Sequence, residues 1–151
     1  MSKELQTHKE QEPVLRVEEV RCYYPQKKKH VRPDGSVTRK AVVKAVDGVS
    51  FSIPQGAVIG VIGESGCGKS TLGRLLVRLE KCTAGRIYLD GTDMETLYRK
   101  DRLAFRRQTQ MVFQNPFDTF DPRHSIGKIL MDTMKLHRIR SSEAERRELA
   151  I

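Results

Sequence analysis

The chain has no tryptophan, aromatic residues make up 6% of it, and its three cysteines are scattered along 151 residues. Cys22, Cys67 and Cys82 form no C-x-x-C pair and are odd in number. That argues against a disulfide framework or a zinc site and points to a reducing cytosol. The four histidines, His8, His30, His124 and His137, are equally dispersed, with no H-E-x-x-H spacing. No apolar run approaches the roughly 18 residues that a membrane span needs. The polar N-terminus, MSKELQTHKEQEP, lacks the apolar centre of a secretory signal. The chain is therefore expected neither to be secreted by that route nor to cross a bilayer by itself. Negative charge is the scarcer sign: 28 Lys and Arg stand against 19 Asp and Glu, a net +9. The excess permits an anionic partner without choosing one. Its basic residues are spread out, with one cluster from Lys27 to Arg32, and no RNA-binding aromatic signature or zinc finger accompanies them. No nucleic acid is expected as a partner.

What is present reads as one domain, 14–151, behind a polar arm, 1–13. Residues 14–20 alternate as a half-buried strand does, ending at Tyr23-Tyr24-Pro25. A basic loop over 26–40 turns at Asp34-Gly35. Segments 41–46 and 49–53 read as two strands joined by a hairpin at Asp47-Gly48, and Pro54-Gln55-Gly56 makes a further turn. Residues 57–62, AVIGVI, are continuously apolar and suit a parallel strand covered on both faces. Leu72, Leu75, Leu76 and Leu79 then recur at helical spacing, with Arg74 and Arg78 on the other side. A short strand over 86–90 is turned by Asp90-Gly91, and 94–107 is expected to be helical. Gln110 to Phe113 reads as an apolar strand. An amphipathic helix is expected over 125–138, and Ser142 with Glu145 has capping-box spacing.

Between the apolar run and the leucine-spaced helix lies Gly63-Glu64-Ser65-Gly66-Cys67-Gly68-Lys69-Ser70, which fits G-x-x-x-x-G-K-[ST] at every fixed position. Glycines let the backbone turn several N–H groups toward one phosphate. The positive end of the following helix faces the same anion. Lys69 can reach the outer phosphates as a compact cation, and the Ser70 hydroxyl suits Mg²⁺, which prefers oxygen ligands. Cys67, beside Lys69 and a helix N-terminus, is the expected reactive thiol. Ile87-Tyr88-Leu89-Asp90 has the outline of a strand ending in a catalytic acid, but Asp90-Gly91 reads better as a turn pair. No N-K-x-D tetrapeptide favours a GTPase.

The run GESGCGKST (Gly63 through Thr71), with the following LGRLLVRLEKCTAGRIYLDG and QMVFQNPFDTFDPR (110–123), resembles the ATP-binding subunits of ABC transporters, within them the oligopeptide/dipeptide importer group. The resemblance covers nearly the whole chain. It implies an α/β P-loop fold of the ABC ATPase type, with an N-terminal antiparallel β portion, a parallel core and the start of a helical subdomain. It makes Gly63, Glu64, Ser65, Gly66, Cys67, Gly68, Lys69, Ser70 and Thr71 the Walker A loop for ATP. Gln114 becomes the Q-loop glutamine and, with Ser70, a ligand of Mg²⁺. Tyr24 falls where an aromatic stacks on adenine, with Tyr23 as the alternative. Transmembrane permease subunits and a second ATP-binding subunit are the implied partners, at the cytoplasmic face of the membrane. The alternative readings are an ATP-binding subunit for nickel or another solute, and a non-transport P-loop NTPase fragment. The LSGGQ signature, the Walker B strand with its glutamate, the D-loop and the switch histidine do not occur in the sequence. The chain thus looks like the front half of such a subunit, cut inside the helical subdomain. No catalytic residue is assigned, and no ATP turnover by this chain alone is expected.

Overall fold

The computed structural model describes residues 12–26, 42–115 and 120–151. Nearly all of the polar arm, and the basic loop with its Asp34-Gly35 turn, lie outside them. The chain forms two compact units, residues 1–100 and 101–151.

The first unit is built on a four-stranded sheet of order β2-β1-β3-β4. Its strands are β1 (Leu15–Pro25), β2 (Val42–Ile53), β3 (Ala84–Leu89) and β4 (Thr92–Asp93), and every pairing is antiparallel. The core residues of β1 are Val17, Val20 and Cys22, a spacing of three and then two. A bulge explains the offset. Glu19 takes φ 46°, and the ladder to β2 passes from Val17↔Phe51 to Val20↔Val49. The extra residue returns Val20 to the face of Val17. The displaced Glu19 N–H donates to the Ser50 hydroxyl at 2.8 Å, so the bulge leaves no orphan donor there. On the other side Gly85 faces the bulge at φ 84°, where a Cβ would lie 2.3 Å from the Glu19 carbonyl oxygen. No side chain fits at that position.

One sequence expectation changes here and another holds. Segments 41–46 and 49–53 belong to one strand, β2, not to a hairpin. Asp47 pairs with Arg21 and Val49 with Val20, so Gly48 (φ 75°) is a second bulge within the ladder. Asp90-Gly91, by contrast, is a true two-residue turn. Leu89 pairs with Thr92, and φ values of 47° and 72° suit a type I′ hairpin.

The run 57–62 is the larger correction. It forms no strand; Val58 is 99% exposed and Ile62 97%. An extended apolar segment is held only by a ladder neighbour and by cover on its faces. The described strands satisfy one another in the antiparallel sheet, and no described residue pairs with 57–62. The expected strand at 110–113 is also absent, with Val112 exposed, for the same reason.

Helix α1 (Lys69–Leu76) buries Leu72 and Leu75. It stops a turn before the leucine spacing suggests. Arg78 adopts φ 57°, its N–H donates to the Leu75 carbonyl at 3.0 Å, and the Leu79 N–H donates to the Arg74 carbonyl at 2.8 Å. This is a Schellman ending with arginine in the usual glycine place. Leu79 is therefore exposed and off the helix. Arg78 does not sit on an outer face. It pairs with Glu95 at 2.7 Å and lies 4.5 Å from the Tyr98 ring centre, tying the exit of α1 to α2 (Met94–Lys100). The Glu95 carboxyl is held below its ordinary value, chiefly by that guanidinium.

The expected helix over 94–107 proves to be two. Asp101 ends the first and caps α3 (Arg102–Gln108) by accepting from the Leu103 and Ala104 N–H groups at 2.9 and 3.0 Å. Ser125 caps α4 (Ile126–Leu136), within the expected span. α5 (Glu143–Leu149) begins at the anticipated Ser142–Glu145 capping box. Neither α4 nor α5 buries a residue, and Ile126, Leu130 and Leu149 stay exposed.

Candidate nucleotide-binding site

The glycine-rich loop joins the exposed run 57–62 to α1. Gly68 is the N-cap of that helix, in the left-handed region at φ 99°. A Cβ there would lie 2.1 Å from the Ala45 carbonyl oxygen of β2. The close approach seats the loop on the sheet, and only glycine permits both the angle and the distance. The Cys67 N–H donates to the Glu64 carbonyl at 3.3 Å, which tightens the loop. Gly63 is crowded by the Cys67 sulfur, 2.7 Å from where its Cβ would be.

Lys69 is the first residue of α1, and its side chain turns back over the loop. The ammonium donates to the Gly63 carbonyl at 2.7 Å and to the Glu64 carbonyl at 2.6 Å, and lies 3.6 Å from the Cys67 sulfur. The charge is thus held at the loop mouth, by bonds a phosphate oxygen can replace. Glu64, Ser65, Cys67 and Ser70 are exposed, and Thr71 is half-buried. Ser70 presents a hydroxyl in the first turn of α1, a hard oxygen of the kind Mg²⁺ accepts. The donor set and the helix end fit a magnesium-bound polyphosphate.

The two tyrosines differ. The Tyr23 hydroxyl donates to the Asp47 carboxylate, and the Lys44 ammonium lies 5.4 Å from its ring centre. Lys44 also bonds Asp47 at 3.0 Å. Asp47 is held below its ordinary value, first by Tyr23 and then by Lys44. Tyr23 is thus committed to a surface cluster. Tyr24 is 37% exposed. Its phenol is pushed up to about 12, first by a hydrogen bond to Cys22, then by burial and by Glu80. Glu80 comes just after the turn that ends α1, so Tyr24 lies toward the exit of that helix. Gln114 belongs to the second unit, where it is exposed at a bend. The structure thus gathers residues 63–71 into one loop and leaves Tyr24 near the end of their helix. The Arg78–Glu95–Tyr98 group could not be read from sequence, because no local pattern links residues 17 apart.

A glycine loop seated on the sheet, with a helix starting at a lysine folded back over the loop mouth, is the outline of a phosphate-binding P-loop domain. An ABC transporter family model matches residues 46–150, and the chain belongs to that family. It is 40% identical over 141 residues to the dipeptide transport ATP-binding protein DppF of Escherichia coli, covering 93% of this chain and 40% of that protein. It is 44% identical over 108 residues to YkfD of Bacillus subtilis, described as a putative oligopeptide transport ATP-binding protein, covering 72% of this chain and 33% of the relative. The chain therefore spans well under half the length of these relatives. Among solved structures it resembles the dimeric ATP-binding cassette MJ0796 with ADP and phosphate, at TM-score 0.67 and 23% identity, over 90% of this chain and 53% of that one. It also resembles cbiO1 of Clostridium perfringens, part of an ABC transporter complex, at TM-score 0.60 and 25% identity, over 91% and 47%. The expected ABC ATPase fold and the likeness to the peptide-importer group are both borne out. No helix among the described residues is long and apolar enough to cross a membrane.

Proposed function

We propose that this chain binds Mg-ATP through the Gly63–Thr71 loop, as the Walker A portion of the ATP-binding subunit of a peptide-importing ABC transporter. The carrying observation is the loop itself: an ammonium at its mouth, two positive-φ glycines, Gly66 and Gly68, and a helix starting at Lys69. The backbone N–H groups of 66–68 and the α1 end compensate the triphosphate charge. Lys69 exchanges its carbonyl partners for phosphate oxygens. Ser70 would hold Mg²⁺ through its hydroxyl. Tyr24 stacks on adenine, a role its exposed ring suits better than the Asp47-bound Tyr23. When bound, ATP supplies the free energy that the assembled transporter spends on moving its solute. Oligopeptides or dipeptides are the solute class favoured by the names of DppF and YkfD. Permease subunits and a second ATP-binding subunit are the partners, and the cytoplasmic face of the membrane is the place of action.

Calorimetric titration with Mg-ATP tests the reading. A hydrogen bond to a charged group is worth about 1.5–3 kcal/mol. Lys69→Ala should therefore weaken binding by about tenfold or more. Equal affinity of wild type and Lys69→Ala would remove the loop from the site.

A further inference from the structure

The sheet of the first unit leaves a second cavity open, apart from the glycine loop. We propose that this cavity, between the exit of α1, the edge of β3 and α2, binds a small phosphate monoester with an apolar body. The inference is independent of the nucleotide reading, because the cavity shares no lining residue with 63–71.

A short strand leaves the space. β4 pairs only with Tyr88 and Leu89, so the β3 edge at 85–87 has no ladder neighbour on that side among the described residues. The Asp90-Gly91 turn returns the chain to Asp93, whose carboxylate accepts from the Thr96 N–H at 2.9 Å and starts α2. The left-handed Arg78 ends α1, and the Thr83 N–H donates to the Arg21 carbonyl of β1 at 2.7 Å. Those two fixed points hold the segment that carries Lys81 and Cys82. Gly85, Arg86 and Ile87 of β3, Met94, Glu95 and Arg99 of α2, and this segment enclose about 300 Å³. That is the lower end of the roughly 300–1,000 Å³ of small-molecule sites.

The lining divides by chemistry. Ile87 and Met94, 2% and 5% exposed, supply an apolar surface, with half-buried Cys82 as a third soft group. Lys81, Arg86 and Arg99 are exposed cations of the same lining. Its two carboxylates are already engaged. Glu95 is shared by Arg78 at 2.7 Å and Arg99 at 3.2 Å, and Asp93 caps α2. Lys81 and Arg86 form no ion pair among the described residues. Two cations without a carboxylate of their own suit one headgroup with close to two negative charges, as a phosphate monoester carries near neutral pH. An inorganic ion would leave Ile87 and Met94 uncovered, whereas an apolar body attached to the phosphate covers them.

The test adds phenyl phosphate to the 151-residue chain at constant ionic strength and follows the methionine ε-methyl signals by NMR. The Met94 signal should shift and saturate, half of the change falling at about 1–10 mM, the range open to a ligand of that size. Met131 and Met134, in the second unit, should stay fixed. Phenol and inorganic phosphate each carry half of the chemistry, and each should need at least roughly tenfold more. Lys81→Ala combined with Arg86→Ala should raise the phenyl phosphate half-point by about tenfold or more, since charged hydrogen bonds are lost. Lys69→Ala should leave it where it was, which separates this site from the glycine loop. A Met94 signal that does not respond, a half-point for phenol or inorganic phosphate equal to that for phenyl phosphate, or a half-point moved by Lys69→Ala but not by the double variant would overturn the proposal.

Discussion

Strand β1 and the run 57–62 are both rich in branched apolar residues, and their fates are opposite. In β1, Val17, Val20 and Cys22 are sealed in the core, with Val20 at 0% exposure. In 57–62, Val58 and Ile62 are almost wholly exposed. The difference lies in partners. β1 has a ladder on each side, to β2 and to β3, and α1 buries Leu72 and Leu75 in the same unit. The run 57–62 has none among the described residues. Apolar composition states what a segment would gain from cover; the pairing decides whether it is covered. The glycine loop hangs between these regimes, exposed on its entering side and clamped to β2 and α1 on its leaving side.

The comparison can be broken most severely by charge. Val20→Lys places an ammonium in the core without a partner, a cost of several kcal/mol, and should abolish folding as read by circular dichroism. Val58→Lys should change the unfolding free energy in urea by about 0.5 kcal/mol or less. It should also reduce self-association in sedimentation velocity, since an exposed apolar segment is an aggregation site. Equal destabilisation by the two variants would mean that 57–62 is covered after all.

Glycine substitution sharpens the same contrast at smaller cost. Gly85→Ala meets the Glu19 carbonyl and the Val20 Cα at a positive φ, and should lose about 3 kcal/mol or more in urea unfolding. Gly60→Ala has nothing within 4 Å of the new methyl, and should stay within about 0.5 kcal/mol.

The smallest expected effect is local and depends on pH. The Glu145 carboxyl is lowered from 4.5 to about 2, first by the Ser142 N–H and then by the Ser142 and Ser141 hydroxyls. A depressed folded value favours the folded form above the unfolded value. The α5 cap should therefore be intact above about pH 4.5 and be lost as pH falls toward about 2. The Glu145 side-chain signal followed by NMR should titrate below that of an unfolded peptide control. Coincident titration would show that the capping box does not persist in solution.

Local chemistry was legible in the sequence. The phosphate loop needs a turn, glycines and a helix start in immediate succession, and all three are local. The capping box at Ser142 is local too. Pairing was not legible. Asp47-Gly48 and Asp90-Gly91 are the same dipeptide, yet the first is a bulge and the second a turn. What separates them is distant: Arg21 and Val20 continue the β2 ladder past Gly48, whereas Leu89 folds back on Thr92. The short α1 was missed because Arg78 takes a left-handed conformation that sequence spacing does not announce.

Amide hydrogen exchange on the 151-residue chain, with and without Mg-ATP, tests the central claim most directly. The account predicts slow exchange for Val17, Val20 and Ile87, fast exchange across 57–62, and slowing at Gly66, Cys67, Gly68 and Lys69 when Mg-ATP is added. Protection of 57–62 equal to that of β1 in the nucleotide-free chain, or no response at 66–69, would contradict it.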